Sequence, residues 1–335
     1  MPQLPKDSFM ISDEIKFYFD LWFAVVATTC LASMSIVLNV INMAVFVKQG
    51  LKERVYFTLF CLSLVDLLGA TSLVAVGEGL NAAMWPDEIS AERLTYIFVF
   101  GWFRNMFSDL ATALTVFLSI ERCICVTWPF YFQSTSSFVA RRPKIIIVTI
   151  LTFVVLNYIP IFICIRFVSF QNEANNSTVF VLMYSDAYFT LQTFNDIVFG
   201  IILSAVCLVC VFVCAVVMYR GLRLSGEIRE SSYNNIKDRV NGMSRRDREI
   251  VRMILVLSIL YMMSSLPQIL HCWTRAIIPD LATGDTMKLN RVIGELVIFM
   301  SATFGAFSFF IYFRFNKKFK LTLHEIILCQ MAQSL

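Results

Sequence analysis

Arg104 and Arg122 stand at the two ends of a mostly apolar segment. With the polar residues between them, Ser108, Thr112, Thr115 and Ser119, they follow at intervals of 4, 4, 3, 4 and 3. On an α-helix that spacing puts all six on one narrow stripe. The remaining positions are mainly Leu, Ile, Val, Phe and Ala. If the segment crosses a bilayer, the stripe has to face protein. The 18 residues from Arg104 to Arg122 rise about 27 Å as a helix. One rigid element would thus join a cation near one membrane face to a cation near the other. A guanidinium suits a carboxylate, a phosphate or a peptide carbonyl, because its planar fork offers two parallel hydrogen bonds. The competing reading pairs Arg104 with Glu78 or Glu295 and gives it only the work of holding helix ends together. Asn105, Asp109, Asp196, Gln268 and His271 gather toward the same end of the predicted spans. Polar groups converging from several helices make a ligand pocket unless they satisfy one another.

The elements that must position these residues are membrane spans. The chain has 335 residues, 58% hydrophobic and 16% charged, with a mean hydropathy of +0.71. That composition excludes an ordinary soluble domain and fits a polytopic helical membrane protein. Seven apolar runs are long enough to span, at about 21–47, 55–76, 97–120, 145–165, 191–219, 250–272 and 292–313. There is no repeat and no second domain. The expected architecture is an all-α bundle of seven transmembrane helices over 21–313. An outer N-terminus occupies 1–20, and a short membrane-surface helix and tail occupy 314–335.

Orientation follows from Lys and Arg. The pieces 48–54, 122–144, 220–252 and 314–320 carry 20 of the 28 basic residues, whereas 1–20, 77–96, 166–190 and 275–291 carry 7. The first set is therefore cytoplasmic and the N-terminus outside. The net charge of +4 is inner-leaflet bias and implies no nucleic-acid partner. Asn175-Asn176-Ser177-Thr178 holds two overlapping glycosylation sequons on the side assigned as outer. MPQLPKDSFMISDEIK lacks an apolar core, so the first span is expected to direct insertion.

Among the cysteines, Cys207, Cys210 and Cys214 share a face of the fifth span, which reads as helix packing more readily than as a metal site. Cys164 and Cys272 lie near the outer face, within reach of one another on this topology. Cys329 follows the last span and is either palmitoylated or a free thiol. No metalloprotease, serine-hydrolase or phosphate-loop motif is present, so no enzyme and no cofactor are expected. The seventh span has no lysine for a retinal Schiff base. Seven unrepeated spans argue against a secondary transporter.

Seven spans with Glu121-Arg122 at the inner end of the third resemble the rhodopsin-like family of G-protein-coupled receptors, over about residues 20 to 330. Ile120-Glu121-Arg122-Cys123 stands where that family has Asp/Glu-Arg-Tyr, with Pro129 seven residues on. Asn39 in LNVIN, Asp66 in LSLVDLL and Pro267 match the polar and proline landmarks of spans one, two and six. Ser308-Phe309-Phe310-Ile311-Tyr312 stands in place of Asn-Pro-x-x-Tyr, and Phe319 follows Tyr312 by seven. The stretches NVINMAVFVKQG and WFRNMFSDLATALTVFLSIERCICVTWPF are similar to invertebrate, particularly molluscan, chemosensory and neuropeptide-receptor-like sequences.

The resemblance implies a plasma-membrane receptor for an extracellular ligand, a peptide or a small chemosensory molecule. It would activate a heterotrimeric G protein by opening the inner ends of helices three, five and six, and it leaves room for a receptor oligomer. Glu121, Arg122, Pro129, Asp247, Pro267 and Tyr312 would form the coupling switch. Asp247, 20 residues before Pro267, would latch Arg122 in the resting state; otherwise the two are solvated interfacial charges. Pro267 is either a hinge or a static kink, and Tyr261 is the guess for what couples ligand to it. Glu78, Arg104, Asn105, Ser108, Gln268, His271 and Glu295 are the ligand-site candidates. Asn39, Asp66 and Ser308 form a polar core. The family's sodium site would fall at Asp66, with only Asn39 and Ser308 left to help because Ala111 and Phe304 replace polar residues. The alternative is an Asp66 that is protonated or water-bonded and packs three helices.

The departures are specific. The chain lacks the outer disulfide cysteines, the span-six tryptophan before Pro267 and the span-four tryptophan, and it carries Ser204 roughly where span five has proline. They leave open a receptor fold that no longer couples and serves as a scaffold or partner subunit.

Overall fold

A computed structural model describes residues 13–84, 91–128, 142–172, 177–231, 245–277 and 287–334. Pro129, Asn175 and Asn176 lie outside them. Among the described residues seven helices are long and apolar enough to cross a membrane, and the chain is a multi-pass membrane protein built as a helical bundle. The first helix, α1, consists of Asp13–Phe19, a π-helical stretch Asp20–Ala27, and Thr28–Gln49. Then come α2 (Arg54–Met84), α3 (Ala91–Thr127) and α4 (Pro143–Ile163). The fifth helix, α5, joins Asp186–Asn195, a π-helical stretch Asp196–Leu203, and Ser204–Ser231. It is followed by α6 (Arg245–Ile277), α7 (Met287–Phe315) and α8 (Lys317–Ser334).

Most helices overrun their apolar runs. A helix satisfies its own backbone wherever it goes, so Glu, Arg and Lys at the ends of a span extend it instead of ending it. The two π stretches share a local cause. Thr28 Oγ1 donates to Phe23 O at 2.7 Å and Ser204 Oγ to Phe199 O at 2.6 Å, each reaching five residues back. A hydroxyl that takes up the carbonyl left by a wide turn stabilises the wide turn. Ser204, where proline was expected by resemblance, thus marks a widened turn in α5.

The loop between α4 and α5 departs from the all-α expectation. IRFVSFQN and STVFVLMY form antiparallel strands β1 (Ile165–Asn172) and β2 (Ser177–Tyr184), in register from Ile165↔Tyr184 to Asn172↔Ser177. Both are rich in β-branched and aromatic residues. The base of the hairpin closes through Ser185 N–H to Cys164 O, 3.1 Å. Ladder hydrogen bonds hold this hairpin, whose two strands contain no cysteine. All ten cysteines are free thiols, so Cys164 and Cys272 are not joined; Cys272 packs instead against Gly200 of α5.

α3 touches α2, α4, α5 and α6, and the stripe on it faces this interior. α1 and α7 meet where Gly305 has no side chain: a Cβ there would sit 3.0 Å from Ser35 Oγ. Small residues permit such approach between membrane helices. At the Arg122 end a cluster of buried residues includes Phe46, Tyr56, Tyr312 and Phe319. Phe319 anchors α8, with its ring centroid 5.5 Å from Phe46 and 5.8 Å from Tyr312. Asn316 Oδ1 caps that helix by accepting the Phe319 N–H at 3.1 Å. Leu321 and Leu328 are exposed beyond the anchor, as is Cys329.

Candidate functional site

The bundle encloses a cavity of about 100 Å³, room for several waters, since one needs about 10–15 Å³ by the same measure. Six helices line it. α3 supplies Arg104, Ser108, Asp109 and Thr112; α6 supplies Tyr261, Ser264, Ser265 and Gln268; Ser204 comes from α5 and Ser301 from α7. Deeper in the bundle the lining reaches Ser35, Asp66 and Gly305. The stripe spacing on α3 delivers Arg104, Ser108 and Thr112 to one wall because they recur every four residues. α6 answers with Ser258, Tyr261, Ser265 and Gln268, at intervals of 3, 4 and 3, a stripe of the same helical period.

Arg104 donates through Nη1 to Asn105 Oδ1 at 3.0 Å. The acid that acts on it is Asp109, held in turn by the Tyr158 hydroxyl of α4, which donates to Asp109 Oδ2 at 2.6 Å. Tyr158 is buried, with Asn195 beside its hydroxyl. Beside it Trp102 Nε1 donates to Tyr188 Oη at 3.1 Å. Among the described residues Arg104 makes no ion pair with Glu78 or Glu295, the partners considered from sequence. Glu78 is exposed and Glu295 buried. His271 Nε2 lies 2.8 Å from Asn290 Oδ1. Of the seven ligand-site candidates, Arg104, Ser108 and Gln268 line the cavity and Asn105 joins it through Arg104, while Glu78, His271 and Glu295 are not in its walls.

The polar core lies deeper. Asn39 Nδ2 is directed at Ser35 O (3.0 Å), Ser35 Oγ (3.1 Å) and Gly305 O (3.3 Å), and Asn39 Oδ1 accepts from Asn42 at 3.2 Å. Ser308 Oγ donates to the same Gly305 carbonyl at 3.0 Å. Asp66 Oδ2 is buried and accepts no hydrogen bond among the described residues. Asn39 and Ser308, the two helpers the sequence offered to Asp66, both donate to the Gly305 carbonyl. The cavity beside Asp66 has the space and polarity for water.

From Thr112 toward Arg122 the stripe is taken up by contacts within the bundle. Thr112 and Ser265 lie beside the Tyr261 hydroxyl. Thr115 Oγ1 donates to Ala111 O and Ser119 Oγ to Thr115 O, each at 2.8 Å. Ser119 Oγ also lies 3.0 Å from Ser258 Oγ of α6, both residues fully buried. Last comes Arg122, whose Nη2 donates to Glu121 Oε1 at 3.0 Å, with both residues buried. Cys125, one turn on, lies within electrostatic reach of Arg122, Glu121, Asp247 of α6 and Arg54 of α2. Pro267 is half-buried inside α6, next to Gln268. Tyr312 is buried, its ring centroid 5.3 Å from Phe46.

Sequence reasoning missed Tyr158, Asn195, Arg54 and Ser258. For Ser258 a signal existed, the second helical stripe on α6. For Tyr158 there was none, since one tyrosine in an apolar span reads as packing. No family model matches the chain, and no curated protein matches it.

Proposed function

We infer that this chain is a rhodopsin-like receptor of the plasma membrane, N-terminus outside, which binds an extracellular ligand in the cavity and activates a heterotrimeric G protein at the Arg122 end. One observation carries the reading. A single helix, α3, places Arg104 in the cavity wall and a buried Arg122–Glu121 pair at its far end. The charge count supports the orientation, with 20 basic residues on the Arg122 side against 7 on the other.

The ligand offers an acceptor, a carboxylate, phosphate or peptide carbonyl, to Arg104. That guanidinium has five N–H donors, and among the described residues its hydrogen bond is the one to Asn105. At the other end Arg122 and Glu121 are adjacent in sequence and buried together. When the inner ends of α3, α5 and α6 separate, Arg122 gains a cleft into which it can turn toward the G protein.

Nucleotide exchange on a panel of G proteins, with ligands screened against the receptor in lipid vesicles, tests this. Arg122→Ala is expected to abolish exchange and leave ligand binding intact. Exchange that survives Arg122→Ala refutes the coupling mechanism. A well-expressed receptor that binds a ligand and stimulates no G protein establishes the scaffold reading instead.

A further inference from the structure

We propose that Ser119 and Ser258 form a membrane-buried rung that restrains α6 against α3 and sets how readily the Arg122 end opens. The proposal rests on the receptor reading for the purpose of that opening, and on the geometry alone for the restraint. The two hydroxyl oxygens are 3.0 Å apart, and both residues are fully buried. A hydroxyl has one proton to give. Ser119 spends its proton on the Thr115 carbonyl of its own helix at 2.8 Å, so Ser258 is the donor between helices and Ser119 the acceptor. The bond therefore ties α6 to a residue already pinned by its own turn.

The rung sits between two regions that matter. Above it Tyr261, three residues along α6, lines the cavity together with Thr112 of α3. Below it Arg122 is three residues along α3. Around the rung are apolar side chains, with Leu118, Ile254 and Leu257 all buried. Once the bond is broken Ser258 has only the carbonyls of its own helix to turn to, so separating α3 from α6 at this level costs part of the bond. Surface ion pairs at the same end of the bundle, such as Lys317–Glu249 at 3.9 Å, are solvated and restrain little.

The test is a distance between the inner ends of α3 and α6 in unliganded receptor in lipid nanodiscs. Fluorophores are attached through non-natural amino acids at the exposed Thr127 and Arg252, which avoids the ten native cysteines. Ser258→Ala removes the donor and leaves Ser119 bonded to Thr115, so the fold keeps its satisfied backbone. It is expected to raise the open-to-closed ratio about three- to twenty-fold, the span of interhelical hydrogen bonds in membrane bundles. Ser119→Ala combined with Ser258→Ala should add nothing further, because the pair is one interaction. Ser258→Thr should restore the wild-type distribution.

Ser63→Ala is the control, since Ser63 Oγ is buried and has no hydrogen-bond partner among the described residues. An unchanged distance distribution in Ser258→Ala overturns the rung, and so does an equal shift in Ser63→Ala. Basal nucleotide exchange on the same samples separates the two readings. A distance shift with no exchange from any G protein keeps the rung and removes the receptor function. Raised exchange with no distance shift does the reverse.

Discussion

Arg104 sits between two explanations, and its geometry makes them separable. It and Asp109 are five residues apart on α3, about 7.5 Å along the axis. At that separation two unit charges attract by roughly 2 kcal/mol with an effective dielectric of about 20. Arg104→Met leaves Asp109 without this compensation, held by Tyr158 alone at 2.6 Å. With about 2–4 °C per kcal/mol, the unliganded receptor should melt roughly 4–8 °C lower. Arg104→Met combined with Asp109→Asn should recover most of the loss, since neither charge then remains and the amide oxygen still accepts from Tyr158. Glu295→Gln and Glu78→Gln should rescue nothing. Arg104→Lys keeps the charge and should keep the melting temperature. It loses the fork, and one charge-assisted hydrogen bond of about 1.5–3 kcal/mol corresponds to roughly a 10- to 150-fold loss of agonist potency. The assays are a thermal melt of purified receptor and a dose–response at matched surface expression. Rescue by Glu295→Gln in place of Asp109→Asn refutes the pairing. Unchanged agonist potency on well-expressed Arg104→Met removes this residue from the ligand site.

Two further outcomes are expected. Asp247→Ala should raise ligand-independent nucleotide exchange if this acid restrains the Arg122 end; unchanged basal exchange at equal surface expression counts against the latch. Glycosidase treatment of receptor from a eukaryotic membrane should shift its mobility by a single glycan, because attachment at Asn175 crowds Asn176. No shift, with that loop accessible from the cytoplasm, overturns the orientation.

The sequence alone determined the seven spans and the inward-facing stripe on α3. Both follow from one constraint: in hydrocarbon each span must satisfy its own backbone, so apolar length and a 3.6-residue period are enough to read them. The same logic made a second stripe legible on α6, from Ser258 to Gln268. Tertiary structure alone decided which groups meet. Arg104 was read against Glu78 or Glu295, yet its acid is Asp109 on its own helix, turned inward and held by Tyr158 of α4. Asn39 and Ser308 read as helpers for Asp66, yet both converge on the Gly305 carbonyl. The loop without cysteines became a hairpin because its strands could pair with one another. These outcomes depend on the rotation and axial offset of one helix against the next. Close contacts such as Gly305 against Ser35 set those offsets, and the periodicity of a single span carries no information about them.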